Sequence, residues 1–270
     1  MTLILNWAQA DIVLQVSDRQ LTLAEAGRPD DYNFPPANKS VLFNSRAILG
    51  FTGRSQVEGE PADVWIANRL ATVGDDMDAA VRLLREELNR AFRRRDHAGA
   101  MFGIAISGFY YDNDALLPFQ GIISNRINDN WEPPYSREFT CHISQVPAEY
   151  SSLQQAPFWL TVRQIEELHR SCVGRDSNQI QVASRLAHAI RNVGHRRVGQ
   201  DLMLSALPIA AAYNVDTYSL SDGMPNSGNP TFAYLSRTGE SVMYVPTIVM
   251  AGQVISDMRL QRGTAWTAWR

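Results

Sequence analysis

The sequence predicts an α+β fold, a sandwich of two antiparallel sheets flanked by helix pairs. Three observations predict it. Strand-like runs occur in groups and do not alternate singly with helices, which argues against βαβ units. Two helix pairs, near residues 61–92 and 161–193, separate those groups. The 270 residues are 45% hydrophobic and 20% charged, enough apolar material for a substantial core.

Each element has its own signal. Thr2–Trp7 is short and apolar, and Asp11–Ser17 is rich in β-branched residues with partial alternation, the pattern of strands. A loop with Gly27, Pro29, Pro35 and Pro36 follows. Ser40–Asn44 and Ala47–Thr52 read as a hairpin turning at Asn44-Ser45-Arg46. Pro61 suits a first helical position, and Val64, Ala67 and Ala71 recur at helical spacing. Asp75 or Asp76 can cap a second helix, whose apolar face is Met77, Ala80, Val81, Leu84, Leu88, Ala91 and Phe92.

Strands resume at Met101–Tyr111, Phe119–Ser124 and Glu138–Ser144. Thr161 and Gln164 form a capping box ahead of Ile165, Leu168 and Cys172. Ser177 can cap the next helix, with Val182, Leu186, Ile190 and Val193 on one face. A strand at Asp201–Pro208 precedes a polar loop over 216–230. A hairpin then runs from Thr231–Ser236 through Arg237-Thr238-Gly239-Glu240 to Ser241–Thr247. Val254–Arg270 is a short tail whose Trp266 and Trp269 cover a core edge or dock a neighbouring subunit. No linker divides the chain, so residues 1–270 read as a single domain with a C-terminal extension from about residue 231.

Composition excludes several classes of function. Apolar runs all fall short of the roughly 18 residues that a membrane-spanning helix needs. The N-terminus lacks the basic segment and cleavage site of a secretory signal. Cys141 and Cys172 form neither a CxxC pair nor a disulfide framework. These features point to a cytoplasmic protein without a membrane partner. The net charge is −3 with arginines scattered along the chain, which is no footprint for nucleic acid. The densest basic run, Arg93-Arg94-Arg95, ends a helix, where it complements the helix dipole.

Motifs for common chemistry are absent. There is no phosphate-binding GxxxxGK[ST], no GxGxxG, no HExxH and no GxSxG. His97, His142, His169, His188 and His195 show no metal-ligand spacing, so neither a metal nor a cofactor is expected. Cys141 and His142 are adjacent in a strand, so their side chains point to opposite faces and cannot pair.

The remaining candidate is the N-terminus. Residue 2 is threonine, and initiator methionine is normally removed before a small second residue. Removal would leave Thr2 with a free α-amine, unperturbed pKa about 7.7–8.0, beside its own hydroxyl. One residue then supplies both nucleophile and base. A fixed positive charge nearby would favour the neutral amine and stabilise a developing alkoxide. The basic residues comprise 24 arginines and one lysine, Lys39. A compact ammonium fits beside a nucleophile where a planar guanidinium does not.

Thr2, Ser17-Asp18-Arg19, Lys39 and Gly50-Phe51-Thr52-Gly53 together resemble the N-terminal half of a proteasome β-type subunit, and equally its ATP-dependent bacterial counterpart. The family places an aspartate sixteen residues after its threonine, as Asp18 stands after Thr2. It places a lysine fourteen residues before its oxyanion glycine, as Lys39 stands before Gly53. Taken singly, a threonine at position 2, an aspartate after a strand and a glycine at a hairpin exit are ordinary; the two spacings join them. The resemblance implies the four-layer αββα sandwich of N-terminal-nucleophile hydrolases, often assembled as homo-oligomeric rings or stacked rings. It implies that Thr2 is the nucleophile and its amine the base. Lys39 would supply the charge, Asp18 would position Lys39, and the Gly53 N–H would receive the oxyanion. The expected activity is cleavage of a peptide or amide bond, with no metal or cofactor. The alternative is a catalytically inactive structural or assembly subunit on the same fold.

Overall fold

The computed structural model describes residues 2–20, 37–94, 100–112, 115–126, 134–157, 159–173, 178–195, 198–213, 230–236, 241–243 and 246–255. Met1, the Pro-rich loop, Ser177, all of the polar loop 216–230 but Pro230, the turn 237–240, Trp266 and Trp269 lie outside the described residues.

The fold is mixed α+β. The chain opens with β1 (Ile4–Gln9) and β2 (Ile12–Asp18), then β3 (Ser40–Phe43) and β4 (Ala47–Gly53). A small ladder of β5 (Gln56–Val57) and β6 (Glu60–Pro61) leads into α1 (Ala62–Leu70) and α2 (Met77–Phe92). Next come β7 (Phe102–Asp112), β8 (Ala115–Ser124), β9 (Thr140–Gln145) and β10 (Ser152–Ala156). The second helix pair is α3 (Val162–Cys172) and α4 (Gln179–Asn192). After it follow β11 (Leu202–Pro208), α5 (Ile209–Tyr213), β12 (Thr231–Leu235), β13 (Ser241–Met243), β14 (Thr247–Met250) and β15 (Gln253–Ile255).

Two large sheets result. One has the order β10-β1-β2-β11-β12-β13 and the other β15-β14-β3-β4-β7-β8-β9. Apolar side chains from both sheets meet in one cluster, with Val13, Met203 and Leu207 against Leu42, Ile48 and Phe109. Trp65, Ile66, Leu84 and Leu88 of the first helix pair pack on Val41, Leu49, Phe51 and Ile104 of the seven-stranded sheet. Leu186 and Ile190 of α4 pack on Leu3, Leu5, Leu14 and Val16 of the six-stranded sheet. Gly50 is one reason the sheets lie close: a Cβ there would come within 2.4 Å of Gln15 Oε1.

The helix starts follow capping chemistry. Asp76 accepts from Ala79 N at 3.0 Å and so caps α2, while Asp75 is taken up by the Asn44 amide at 2.7 Å. Thr161 and Gln164 form the expected reciprocal box. Asn178, not the expected Ser177, caps α4, because Asn178 stands three residues before Gln181 and forms a second reciprocal box with it. Pro61 is the residue before α1, not its first helical residue, because its backbone belongs to β6.

Two further expectations need correction, and two elements had no expectation. The seven-stranded sheet is not purely antiparallel, since β14 runs parallel to β3, Thr247↔Val41. The chain reaches β14 from β13 in the other sheet, so it enters in β3's direction instead of folding back as a hairpin. For the same reason the strand expected at Ser241–Thr247 is divided: β13 pairs with β12, and Thr247 begins β14. The polar β10 lacks β-branched residues and was not foreseen; its antiparallel register with β1, Ile4↔Ala156, holds it in the sheet. The five-residue α5 is too short to give a periodic signal.

Candidate active site

Strand pairing brings the first residues of the chain to the end of β2. In the β1–β2 register Ile4 faces Ser17, and Asp18 N donates to Leu3 O at 3.2 Å, extending the ladder by one residue. Leu3 N in turn donates to Asp18 Oδ2 at 2.7 Å. The β1–β2 register and the hold of the Asp18 carboxylate on Leu3 N together place Thr2 beside Asp18.

Lys39 arrives from the opposite sheet. It immediately precedes β3, and its backbone N–H donates to Met203 Sδ of β11 at 3.3 Å. Its Nζ donates to Thr2 Oγ1 and, at 2.6 Å, to the Gln20 carbonyl. Asp18 Oδ1 lies 3.6 Å from the same ammonium and accepts from Gln20 N at 3.0 Å. Thr2, Asp18 and Lys39 are 3%, 0% and 1% exposed. Sequence spacing thus pointed to three side chains that the fold brings together.

Gly53 ends β4 and is exposed. Its φ of +101° lies in the left-handed region, and a Cβ would stand 2.1 Å from the Met101 carbonyl oxygen. Both features demand glycine. Its neighbour Thr52 ties it to the site: Thr52 Oγ1 accepts from Thr2 N at 3.0 Å and donates to Thr2 O at 2.9 Å.

Thr52 and the Gln20 carbonyl were not singled out from the sequence. A signal for Thr52 was present. It lies two residues after Gly50, on the same strand face, and places a hydroxyl in an otherwise apolar run. The Gln20 carbonyl is a backbone group and leaves no trace in residue types.

Burial dominates the electrostatics. It pushes the Lys39 ammonium below the ordinary lysine range, partly offset by Asp18. It pushes the Asp18 carboxyl up, opposed by the Lys39 charge and by the Leu3 and Gly199 N–H groups. Desolvation penalises either charge alone, so each ion depends on the other. The arrangement can polarise the Thr2 hydroxyl, and a threonine amine would have Thr52 Oγ1 as its partner.

His97 lies outside the described residues, and two of the described histidines pack on tryptophan rings. His169 packs against Trp7 with ring centroids 5.3 Å apart, and His195 against Trp159 at 4.1 Å. Cys141 and Cys172 are free thiols, and burial raises both. Among the described residues no group of three or more His, Cys, Asp or Glu could hold a metal ion. No described helix is long and apolar enough to cross a membrane.

No known family model and no curated protein matches the chain. Among solved structures, it is similar to the Anbu (Gly-1) mutant from Hyphomicrobium sp. strain MC1, at 12% identity and a TM-score of 0.43, over 76% of this chain and 80% of that one. It is also similar to Anbu (ancestral beta-subunit) from Yersinia bercovieri, at 12% identity and a TM-score of 0.47, over 77% and 81%. Likeness at this level does not establish a family. The resemblance to proteasome β-type subunits and to the N-terminal-nucleophile superfamily is therefore corrected: no match carries membership. The physical reason is that the two spacings constrain little. Any antiparallel pair beginning at residue 2 and ending at residue 18 gives the first interval. A short hairpin between Lys39 and Gly53 gives the second.

Proposed function

We propose that the chain is a hydrolase that cleaves a peptide or amide bond through Thr2 once Met1 has been removed. The observation that supports this most is the buried Lys39 ammonium donating to Thr2 Oγ1, with Asp18 Oδ1 3.6 Å from the same nitrogen. A buried ammonium needs a counter-ion and acceptors, which Asp18, the Gln20 carbonyl and Thr2 Oγ1 supply, and this arrangement aims the charge at the hydroxyl.

In this reading the free Thr2 amine takes the proton from its own hydroxyl, directly or through water, as Oγ1 attacks the substrate carbonyl carbon. Lys39 keeps the amine neutral at neutral pH and stabilises the charge growing on Oγ1. The Gly53 N–H donates to the oxyanion of the tetrahedral intermediate. Its collapse breaks the C–N bond, and the leaving amine takes the proton back from the Thr2 ammonium. Water, deprotonated by the same amine, then hydrolyses the acyl ester. Thr52 orients the amine, and Asp18 holds Lys39 in place. Every step is proton transfer or acyl transfer by these residues.

The same proposal places the sheets and helix pairs in four αββα layers of one domain, supported by the three packing clusters. Self-assembly is part of the reading: Ile143 stands 42% exposed on β9, the edge of the seven-stranded sheet. The free thiols fit a reducing cytoplasm.

A second reading, a catalytically inactive structural or assembly subunit, is favoured by one observation. Thr2 is 3% exposed and its backbone N–H is already bound to Thr52. The deciding experiment is mass spectrometry of the purified protein with and without a threonine-directed covalent inhibitor. Loss of Met1 and an adduct on Thr2 support the hydrolase. Retained Met1 or an unmodified Thr2 supports the second reading.

A further inference from the structure

Asp63, Asn38 and Thr247 form a buried polar cluster that the proposed chemistry does not use. They are 7%, 8% and 1% exposed and come from three separate places: the first turn of α1, the residue before Lys39, and the first residue of β14. Thr247 Oγ1 donates to Asp63 Oδ2 at 2.7 Å. Asn38 Nδ2 donates to the same oxygen at 3.2 Å and reaches Thr247 Oγ1 at 3.2 Å. Asn38 Oδ1 accepts from Ser40 N at 3.2 Å. Both ends of the Asn38 amide are thereby held, one by α1 and β14, the other by the backbone on the far side of Lys39.

The opposite flank is held as well. Ala37 N donates to Arg19 O at 3.0 Å, and Arg19 Nε donates to Ala37 O at 3.4 Å. The segment entering β3 is therefore gripped before Lys39 by β2's end, and around Lys39 by the Asp63 cluster. The Asn38 Oδ1 bond to Ser40 N spans Lys39 in an Asx turn. The amide that α1 and β14 hold thus also fixes the backbone from which Lys39 reaches Thr2.

We infer that Asp63, Thr247 and Asn38 are positioning residues that set where Lys39 enters the site. The carboxylate is suited to this: two neutral donors converge on one oxygen, and each donor loses its partner if the segment slips. A purely structural cluster would contribute to stability without changing the surroundings of Lys39. This inference rests on the Thr2 reading for its consequence in catalysis, but its geometry can be tested independently.

The single lysine supplies the test. Protein grown with isotope-labelled lysine gives one side-chain NMR signal, that of Lys39. Thr247→Val removes the hydroxyl at similar volume, and Thr247→Ser retains it. The expected result is that Thr247→Val moves the Lys39 signal and its titration midpoint, whereas Thr247→Ser leaves both at wild-type values. Labelling of Thr2 by the covalent inhibitor should slow by about 10–10²-fold in Thr247→Val, the scale seen when a group beside the reacting atoms is misplaced. A folded Thr247→Val protein with an unchanged Lys39 signal overturns the inference. If Thr247→Val does not fold, Asn38→Ala provides the same two outcomes. Failure of the wild-type protein to label Thr2 removes the functional reading alone, since the lysine signal still reports the positioning.

Discussion

Lys39 Nζ and Asp18 Oδ1 lie 3.6 Å apart with both side chains buried, one entering from each sheet. The pair is the electrostatic junction between the two sheets. Removing one partner should leave an uncompensated buried charge, costing about 3–5 kcal/mol. Lys39→Met or Asp18→Asn alone is therefore expected to lower the denaturation midpoint sharply. The double variant should recover most of that loss, because two neutral groups need no compensation. Additive losses in the double variant, measured by urea unfolding, would contradict the pairing.

The labelling rate of Thr2 should depend on pH with two limbs. On the acid side it rises as the amine loses its proton. That midpoint is expected below the unperturbed value of about 7.7–8.0, because the Lys39 charge disfavours a second cation beside it. On the alkaline side the rate falls as Lys39 itself deprotonates. Burial lowers the Lys39 pKa, so the fall begins at lower pH than for a free lysine, about 10.4. A rate that stays level to pH ~10.4 would show that the Lys39 charge is not required.

Thr52→Val should separate packing from chemistry. Valine keeps the branched shape and strand preference but loses both hydrogen bonds to Thr2. An unsatisfied buried N–H and C=O cost about 1–3 kcal/mol each. The expected outcome is a clear loss of thermal stability together with a loss of Thr2 labelling in the protein that remains folded. Equal labelling rates in the two proteins would exclude Thr52 from orienting the amine.

Gly53→Ala tests the turn at the end of β4. A positive φ costs a residue with a side chain about 1–3 kcal/mol. The approach of the new Cβ to the Met101 carbonyl adds to that, because a backbone atom cannot swing aside. Calorimetry should show a lower melting temperature. A wild-type melting temperature would mean that the turn adopts another conformation.

How much of this was legible in the sequence follows from what each signal measures. The Thr161–Gln164 capping box and the apolar face of α2, with Leu84, Leu88 and Phe92, are local and legible directly, whereas the Asn178–Gln181 box was missed in favour of Ser177. The β1–β2 hairpin is nearly local and sets Thr2 beside Asp18, whereas the contact of Lys39 with them crosses the sheets and only the spacings of the resemblance pointed to it. The parallel pairing of β14 with β3 was not legible, since Thr247 and Val41 are distant in sequence and no turn connects them. The Asp63 cluster escaped for a similar reason: Asn38, Asp63 and Thr247 share no spacing pattern, and Thr247 joins the other two only through that pairing. Thr52 was within the quoted motif, but its role depends on a contact across the sheets. Spacing alone also overreached, pointing to a family that no match supports.

The central claim is that Thr2 becomes a terminal nucleophile served by Lys39. The most direct measurement is the intact mass and peptide map of wild-type and Lys39→Arg proteins after exposure to a threonine-directed covalent inhibitor. The account predicts that the wild-type protein lacks Met1 and carries one adduct on Thr2. It predicts that folded Lys39→Arg protein lacks the adduct, because the guanidinium does not fit the ammonium's place. A wild-type protein that retains Met1, or equal adduct formation in Lys39→Arg, would contradict it.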